Sequence, residues 1–354
     1  MTLPRTPLHD TERTPMHPIA LRRPAGLAWI VAMLVALLAV AGCGSDDDAD
    51  DSSSGAPTTV QTMFGAVQVP AKDQPRVVAL GWSDAEMALA LGVKPIAVLD
   101  WQGFGEKTKG VGPWAAARFG DVTPEIIKPP GDGTLNYEQI DLLDPDLILN
   151  TRSEPDRKAF DRLSQIAPTV YAPKGTPAFA TTWDVQMKQV AAALGKQAEG
   201  EKLIAEVRGK IEQAAADHPE LQGKTTASGA KFGDAYGAYL PGDGRLDLLT
   251  DLGLVNNEGI DGLPANGFFA TVAGEKVSVL DADVTVILPI GFTVKDVEQD
   301  DLLQSLKAVE EGRAIVLDPS SDLGNAWGTM SVLSIPFVLD EIVPQLSAAA
   351  KKAD

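Results

Sequence analysis

Residues 197–218 read QAEGEKLIAEVRGKIEQAAADH, and their apolar side chains recur at intervals of three and four. This spacing places Leu203, Val207 and Ile211 on one face of an amphipathic helix, with the charged residues opposite. A second amphipathic helix is predicted over 183–194. At 1.5 Å per residue the longer helix spans about 30 Å, the diameter of a small domain. We therefore predict a spine that joins two lobes.

The segments on both sides of this spine alternate short apolar runs with helical patterns. The expected elements before it are a hairpin over 58–69, strands at 76–80, 96–99, 147–150 and 169–171, and helices at 84–91, 136–143 and 156–166. Those after it are strands at 227–232, 284–288 and 315–317, and helices at 245–252, 274–280, 297–303 and 330–349. Strand, helix and strand within about 25 residues indicate parallel βαβ units. The Gly- and Pro-rich stretch 101–130 is expected to be irregular.

The amino terminus has the pattern of a secreted lipoprotein. Arg22 and Arg23 precede an apolar run, and small residues lead directly to Cys43, the one cysteine of the chain. A charged region, a short apolar region and a small-residue cleavage site describe a signal peptide rather than a membrane span. A cysteine at this point resembles a bacterial lipobox, which implies cleavage before Cys43 and lipidation of its thiol. The alternative is a short anchor with an incidental cysteine.

The predicted domain boundaries follow from these patterns. Directly after Cys43 comes an acidic stretch that cannot bury a core and is expected to be a solvated tether. The expected units are a signal peptide (1–42), the acidic tether (43–57), an N-terminal lobe (58–181), connecting helices that include the spine (182–219) and a C-terminal lobe (220–354). The fold class is α/β, with two Rossmann-like lobes joined by a single long helix.

Charge and histidine content exclude several classes of partner. The chain carries a formal net charge of −19, and the part after residue 42, with 26 Lys and Arg against 47 Asp and Glu, carries −21. Such an acidic protein is a poor candidate for binding nucleic acid. His218 is the one histidine after residue 42, so a metal site built on histidines or on paired cysteines is not expected.

A ten-residue repeat relates the two halves. Residues 138–147, EQIDLLDPDL, align without a gap on residues 275–284, EKVSVLDADV. Each copy begins with a glutamate that opens a helix and continues through Leu-Asp-x-Asp into an apolar strand. The simplest explanation of this repeat is that the chain contains two lobes of similar topology.

Four segments follow one another in a characteristic order: RVVALGWSDAEMALALGVKPIAVLDW (76–101), GTLNYEQIDLLDPDLIL (133–149), the mid-chain spine and IPFVLDEIVPQL (335–346). Together they resemble the extracytoplasmic substrate-binding proteins of ABC importers for ferric siderophores, haem and vitamin B12. The resemblance covers about residues 58–347, and the ferric-siderophore branch fits best. It implies the helical-backbone periplasmic-binding-protein fold, with a ligand in the cleft between the lobes and slight closure on binding.

Large aromatic and cationic residues are expected at the cleft. Ligands of open α/β sheets lie beyond the carboxyl ends of the strands, and an iron chelate needs flat apolar contacts with charge-assisted hydrogen bonds. The expected ligand contacts are Trp82, Trp101, Arg152, Tyr236, Arg245 and Trp327. Trp82 could instead be a lid on the core, and Arg152 could pair with its acidic neighbours.

Glu138 and Glu275 occupy the same position in the two repeats. The resemblance implies that they dock on arginines of a transporter permease. The alternative is that each carboxylate stabilises the helix it opens.

The resulting hypothesis is capture of an iron(III)-siderophore outside the cell and its delivery to an ABC transporter permease. We expect a monomer on a lipid anchor at the outer face of the cell membrane, no intrinsic cofactor, no catalysis, and a ferric siderophore as the transported ligand. The alternatives are a binder of another chelate, cobalamin or haem, and a lipid-anchored sensor or secreted enzyme that uses the same cleft.

Overall fold

The computed structural model describes residues 56–129, 131 and 134–353. The predicted signal peptide, Cys43 and nearly all of the acidic tether lie outside these residues, so their roles stay predictions.

A hairpin and a parallel sheet form the first lobe. Its strands are β1 (Thr58–Thr62), β2 (Gly65–Val69), β3 (Val77–Ala79), β4 (Ala97–Leu99), β5 (Glu125–Ile127), β6 (Leu147–Asn150) and β7 (Thr169–Tyr171). Its helices are α1 (Asp84–Ala90), α2 (Pro113–Ala116), α3 (Tyr137–Leu142) and α4 (Arg157–Ile166), with 3₁₀ turns at Glu106–Thr108 and Ala117–Phe119. The sheet order is β5-β4-β3-β6-β7, all parallel. Its continuous apolar strands are buried, as parallel strands require.

Two helices lead from this sheet to the second one. They are α5 (Trp183–Ala193) and α6 (Gln197–Asp217). Helix α6 buries the face that carries Ile204, Val207 and Ile211 and packs against α5. The helix predicted over 197–218 is thereby confirmed to within one residue, while its action as a stiff spine stays a prediction.

The second lobe has a mixed sheet. After a 3₁₀ turn at Pro219–Leu221, its strands are β8 (Thr225–Phe232), β9 (Ala235–Tyr239), β10 (Val255–Asn256), β11 (Ala265–Asn266), β12 (Phe269–Val272), β13 (Val284–Ile290) and β14 (Ala314–Val316). Its helices are α7 (Gly244–Asp251), α8 (Glu258–Asp261), α9 (Val294–Glu298), α10 (Asp301–Gln304), α11 (Lys307–Glu310), α12 (Asp322–Thr329) and α13 (Ser334–Ala350), with a 3₁₀ helix at Gly274–Leu280. The order is β11-β12-β9-β8-β13-β14, with β10 beside the start of β8.

The antiparallel half of this sheet was not predicted. Strand β9 returns antiparallel on β8 after Gly233 and Asp234, and β12 and β11 extend the sheet on that side. The helix predicted over 297–303 is wrong: Asp300 accepts hydrogen bonds from Leu302 and Leu303 and starts a new helix there. The predicted closing helix 330–349 begins later, at Ser334, because Met330 has a left-handed backbone (φ 44°) that ends α12. The stretch 101–130 also contains α2 and β5.

One hydrophobic core runs through both lobes. It joins buried residues of the first sheet, such as Val77 and Leu149, to residues of α5 and α6 and to Val286 of the second sheet. The closing helix α13 contributes a row of buried side chains to the same core. The two lobes are therefore connected by a common hydrophobic core as well as by the polypeptide chain.

One backbone contact of the ten-residue repeat recurs in both lobes, although its helix is an α-helix in the first copy and a 3₁₀ helix in the second. Asp146 accepts a hydrogen bond of 2.9 Å from the backbone N–H of Arg76, just before β3, which neighbours β6. Asp283 accepts one of 2.8 Å from the backbone N–H of Thr225, at the start of β8, which neighbours β13. The last aspartate of each repeat thus caps the start of the adjacent parallel strand.

Candidate functional site

A cavity of about 510 Å³ lies between the two lobes, at the carboxyl ends of β3, β4, β8 and β13. Its walls are mostly aromatic and aliphatic. The lining residues are Trp82, Trp101, Gln102, Ala230, Phe232, Gly237, Tyr239, Arg245, Phe268, Phe269, Leu288, Pro289, Ile290, Gly291, Pro319, Gly324, Asn325 and Gly328. An apolar cleft with a few polar groups is the usual form of a small-molecule site.

The first lobe contributes a stack of aromatic rings. The Trp82 ring lies 4.5 Å from the Trp101 ring and 4.3 Å from the Phe179 ring, centroid to centroid. Gly81 allows this arrangement, because a Cβ there would lie 2.9 Å from the backbone nitrogens of Thr151 and Arg152. The chain can therefore turn tightly after β3 and place Trp82 over the end of the sheet.

Two buried carboxyl groups hold the loops that carry these tryptophans. Asp84 accepts hydrogen bonds from the backbone of Gly81 and Thr151 and from Gln186, whose amide also donates to the Trp82 carbonyl at 2.7 Å. Burial raises the pKa of Asp84, and these hydrogen bonds oppose the shift. Asp100 accepts from the backbone N–H groups of Phe104 and Gly105, both at 2.7 Å, which folds the loop behind Trp101.

The second lobe contributes a paired guanidinium group. Arg245 donates from Nε and Nη2 to the two oxygens of Asp243, both at 2.7 Å, and its side chain is 6% exposed. The guanidinium carbon lies 3.5 Å from the centre of the Tyr239 ring. Burial lowers the pKa of Arg245, but the adjacent Asp243 carboxylate outweighs it and raises that pKa overall. Asp243 is also the N-cap of α7, where its side chain accepts a hydrogen bond from the backbone N–H of Arg245.

The hydroxyl of Tyr239 is buried and has no hydrogen-bond partner among the described residues. Its ring lines the cavity and stacks at 6.2 Å on Phe268. Burial raises the pKa of this phenol, so it stays protonated. A buried donor without a partner is a natural contact for a ligand oxygen.

Three residues of the first lobe converge on Thr329, at the end of α12. Ser83 Oγ and Arg152 Nη1 both donate to its carbonyl oxygen at 2.9 Å, and Gln102 Nε2 donates to its hydroxyl at 3.0 Å. Arg152 also donates from Nε to the Phe179 carbonyl at 3.1 Å. Burial lowers the pKa of Arg152 to about 10, which leaves it charged at neutral pH.

Backbone strain is concentrated at this junction. Ser83, Phe179 and Met330 all have positive φ angles, of 66°, 56° and 44°. Each such residue costs on the order of 1 kcal/mol, and they are retained where the surrounding contacts over-determine them. All three adjoin the Arg152–Thr329 contact. Ser83 donates to the Thr329 carbonyl oxygen, Phe179 accepts from Arg152, and Met330 follows Thr329 in the chain.

The six expected ligand contacts divide into two groups. Trp82, Trp101 and Arg245 line the cavity. Arg152 does not line it; its guanidinium lies 5.8 Å from the Trp82 ring centre and bridges the junction. Its expected alternative, an ion pair with neighbouring acids, is not formed either, since its side chain donates to main-chain carbonyls.

Tyr236 and Trp327 are corrections to the sequence-based expectation. Tyr236 packs in the second lobe's core, and its hydroxyl donates to Asp300 at 2.8 Å. It lies three residues from Tyr239 in one strand, and an odd spacing puts the two rings on opposite faces. Trp327 is fully buried in the shared core, whereas Gly324, Asn325 and Gly328 of the same helix line the cavity.

The residues that sequence reasoning missed come mainly from the unpredicted half of the second sheet. They include Tyr239, Phe268 and Phe269, which strands β9 and β12 bring to the cavity wall. The two tyrosines of AYGAY (235–239), a residue type enriched in strands, were the signal that could have found strand β9 and with it Tyr239. Gln102 and Asn325 had no such signal.

The two repeat glutamates lie on the surface. Glu138 is in the first turn of α3, and Glu275 is in the first turn of the 3₁₀ helix Gly274–Leu280. Both are exposed, and within the described part of the chain neither side chain forms a hydrogen bond or an ion pair. The cavity and these two positions are separate parts of the molecule.

The described residues contain no group of three or more His, Cys, Asp and Glu side chains that could hold a metal ion. Within the same residues, no helix has the length and apolar character needed to cross a membrane.

Comparison with known proteins identifies the family. The model of the family described as "Periplasmic binding protein" matches residues 77–321. The probable siderophore-binding lipoprotein YfiY of Bacillus subtilis is 25% identical over 89% of this chain and 96% of its own length. The Fe(3+)-citrate-binding protein YfmC of the same species is 24% identical over 82% of this chain and 89% of its own length.

Solved structures show the same relationship. A periplasmic solute-binding protein of Mycobacterium smegmatis superposes with a TM-score of 0.71 at 31% identity, over 85% of this chain and all of that one. PiaA of Streptococcus pneumoniae in complex with ferrichrome superposes with a TM-score of 0.71 at 26% identity, over 84% of this chain and all of that one. The family model matches more than half of the chain, and the chain belongs to the periplasmic binding protein family.

Proposed function

We propose that this protein binds an iron(III)-siderophore outside the cell and delivers it to an ABC transporter permease. The observation that carries the proposal is the aromatic cavity between the lobes, with Trp82 and Trp101 on one wall and Tyr239 and Phe268 on the other. Such walls suit a bulky chelate whose surface is largely organic.

The named relatives support this choice of ligand. YfiY is described as a probable siderophore-binding lipoprotein, and PiaA was crystallised with ferrichrome. Both align over most of this chain and nearly all of their own. The iron arrives inside its chelator, so the protein needs no metal ligands of its own.

Transport without catalysis follows from the proposal. The protein binds the chelate, closes slightly and docks on the permease, and no covalent bond is made or broken. The exposed glutamates Glu138 and Glu275 are proposed as the docking residues. They occupy equivalent positions in the two repeats, each of which has an aspartate that caps the adjacent strand, so one permease with two similar arginine sites could engage both.

Attachment to the membrane is proposed to occur through lipidation of Cys43, at the outer face of the cell membrane. The leader pattern in the sequence and the lipoprotein description of the Bacillus subtilis relative support this. The acidic residues after Cys43 would then tether a monomeric body close to the permease.

The experiment that tests the proposal is a fluorescence titration of the full chain in a mild non-ionic detergent. Ferric siderophores, their iron-free forms, haem and cobalamin are added in turn. Saturable quenching by at least one ferric siderophore is expected, because an iron chelate between the lobes lies against Trp82 and Trp101. Quenching of a Trp82→Phe, Trp101→Phe double variant should be much smaller. Binding of haem or cobalamin alone, or of no compound by folded protein, would contradict the proposal.

A further inference from the structure

The charge of the cavity determines which chelate it can accept. Arg245 is the one lining residue, among the described residues, that is ionised at neutral pH. Both carboxylate oxygens of Asp243 accept hydrogen bonds along the Nε and Nη2 edge of its guanidinium. The charge of Arg245 is therefore already matched, and a ligand oxygen that binds the remaining N–H groups contacts a neutral pair rather than a free cation.

The nearest other positive charge does not face the cavity. Arg152 is buried below Trp82 and outside the cavity lining, and its donors at the junction are taken by the carbonyl oxygens of Phe179 and Thr329. The one guanidinium that lines the cavity is paired with the Asp243 carboxylate, so the cavity offers no unpaired positive charge.

The whole body disfavours an anion as well. The part of the chain after residue 42 carries a formal charge of −21. An acidic surface lowers the local concentration of anions and slows their approach. Inside the cavity, a multiply charged anion would lose its hydration without gaining a counter-charge, which is costly.

Ferric chelates differ sharply in charge. Three hydroxamates each carry one negative charge and neutralise Fe³⁺, whereas three catecholates leave a complex of charge 3−. Ferric citrate complexes are also anionic. We propose that the ligand is a neutral ferric trishydroxamate rather than a polyanionic tricatecholate or citrate chelate. This inference rests on the proposed function and specifies its substrate class.

The test compares three probes by tryptophan quenching of the full chain in non-ionic detergent: ferrichrome, ferric enterobactin and ferric citrate. Ferrichrome is expected to bind at least about 100-fold more tightly than either anion. Its dissociation constant should change less than about twofold between low and high salt, because no net charge is being paired.

A variant of Asp243 separates the effect of ligand charge from the effect of ligand shape. Asp243→Asn keeps the N-cap of α7, since Asn is as good a capping residue, but frees the charge of Arg245. It should tighten binding of the anionic probes about tenfold while changing ferrichrome binding less than about threefold. Asp247→Asn, on the same helix but outside the cavity lining, makes the same change in net charge and should leave all three probes unaffected.

Each outcome decides between the two claims. Equal or tighter binding of enterobactin or citrate overturns the neutral-ligand inference and leaves the proposed function standing. Failure of every ferric chelate to bind folded protein overturns both. An Asp243→Asn variant that does not change the preference also overturns the inference, since the pairing of Arg245 would then be irrelevant.

Discussion

The guanidinium of Arg152 and the carbonyl oxygen of Thr329 form a 2.9 Å hydrogen bond between residues 177 positions apart. Ser83 donates to the same carbonyl oxygen, and Gln102 to the hydroxyl of the same residue. The end of α12 is therefore held by three residues of the first lobe, directly beside the cavity. Ser83 and Met330 have strained, left-handed backbone conformations, which persist because the surrounding contacts hold this junction in place.

Arg152→Lys is expected to lower the free energy of unfolding by about 2 kcal/mol, because a lysine amine cannot reach the two carbonyl oxygens that the guanidinium spans. Urea denaturation would measure the change. Arg157→Lys, in an exposed ion pair with Asp161, is the control and should change stability by less than about 0.5 kcal/mol. An equally small effect at Arg152 would show that the junction does not depend on the guanidinium.

Tyr239→Phe should weaken siderophore binding about fivefold, since it removes a donor that a ligand oxygen would satisfy. Stability should not fall, because the buried hydroxyl has no partner among the described residues. Tyr236→Phe is the matched control and should show the reverse: unchanged binding and about 1 kcal/mol lower stability, from loss of the bond to Asp300. Titration and urea denaturation of both variants separate the two roles.

The contrast between these tyrosines illustrates what the sequence could and could not predict. The parallel strands and α6 were predictable because their apolar patterns are continuous or periodic. The cavity wall was harder, since it depends on which face of β9 meets β12 and on where Phe268 lies relative to Trp82. Those relations are set by strand pairing and tertiary packing, which no local pattern specifies.

Replacing both Glu138 and Glu275 by alanine should reduce uptake of the labelled ferric siderophore by cells at least about tenfold, because two charged docking contacts are lost. The dissociation constant of the ligand should not change, since neither residue lines the cavity. Glu201→Ala, at an exposed position of α6, is a control for the loss of surface charge. Normal uptake by the double variant would exclude these residues from docking.

Asp247→Asn should stabilise the protein at pH 7. Burial raises the pKa of this carboxyl to about 6, above its value near 4 in the unfolded chain, so its ionised form opposes folding. In the wild type, the free-energy cost of the ionised Asp247 carboxylate is present above pH 6. It disappears as the pH falls from 6 towards 4, because the folded state binds the proton at a higher pH than the unfolded state does. We expect a gain of about 1 kcal/mol at pH 7 and almost none at pH 4. Urea denaturation at both pH values tests this, and a gain that does not depend on pH would rule out the ionisation as its cause.

The core shared by both lobes limits how the molecule can be divided. Helix α13 fills an interior that also contains Val77 of the first sheet and Val286 of the second. Each lobe also has a core of its own, but both lose this shared interior when the chain is cut between α6 and β8, so the separate fragments should be far less stable than the whole chain. Heating should produce a single cooperative transition, and truncation before Ser334 should leave both halves exposed to proteases. The two lobes look like separate bodies, but their shared interior is expected to make them unfold together.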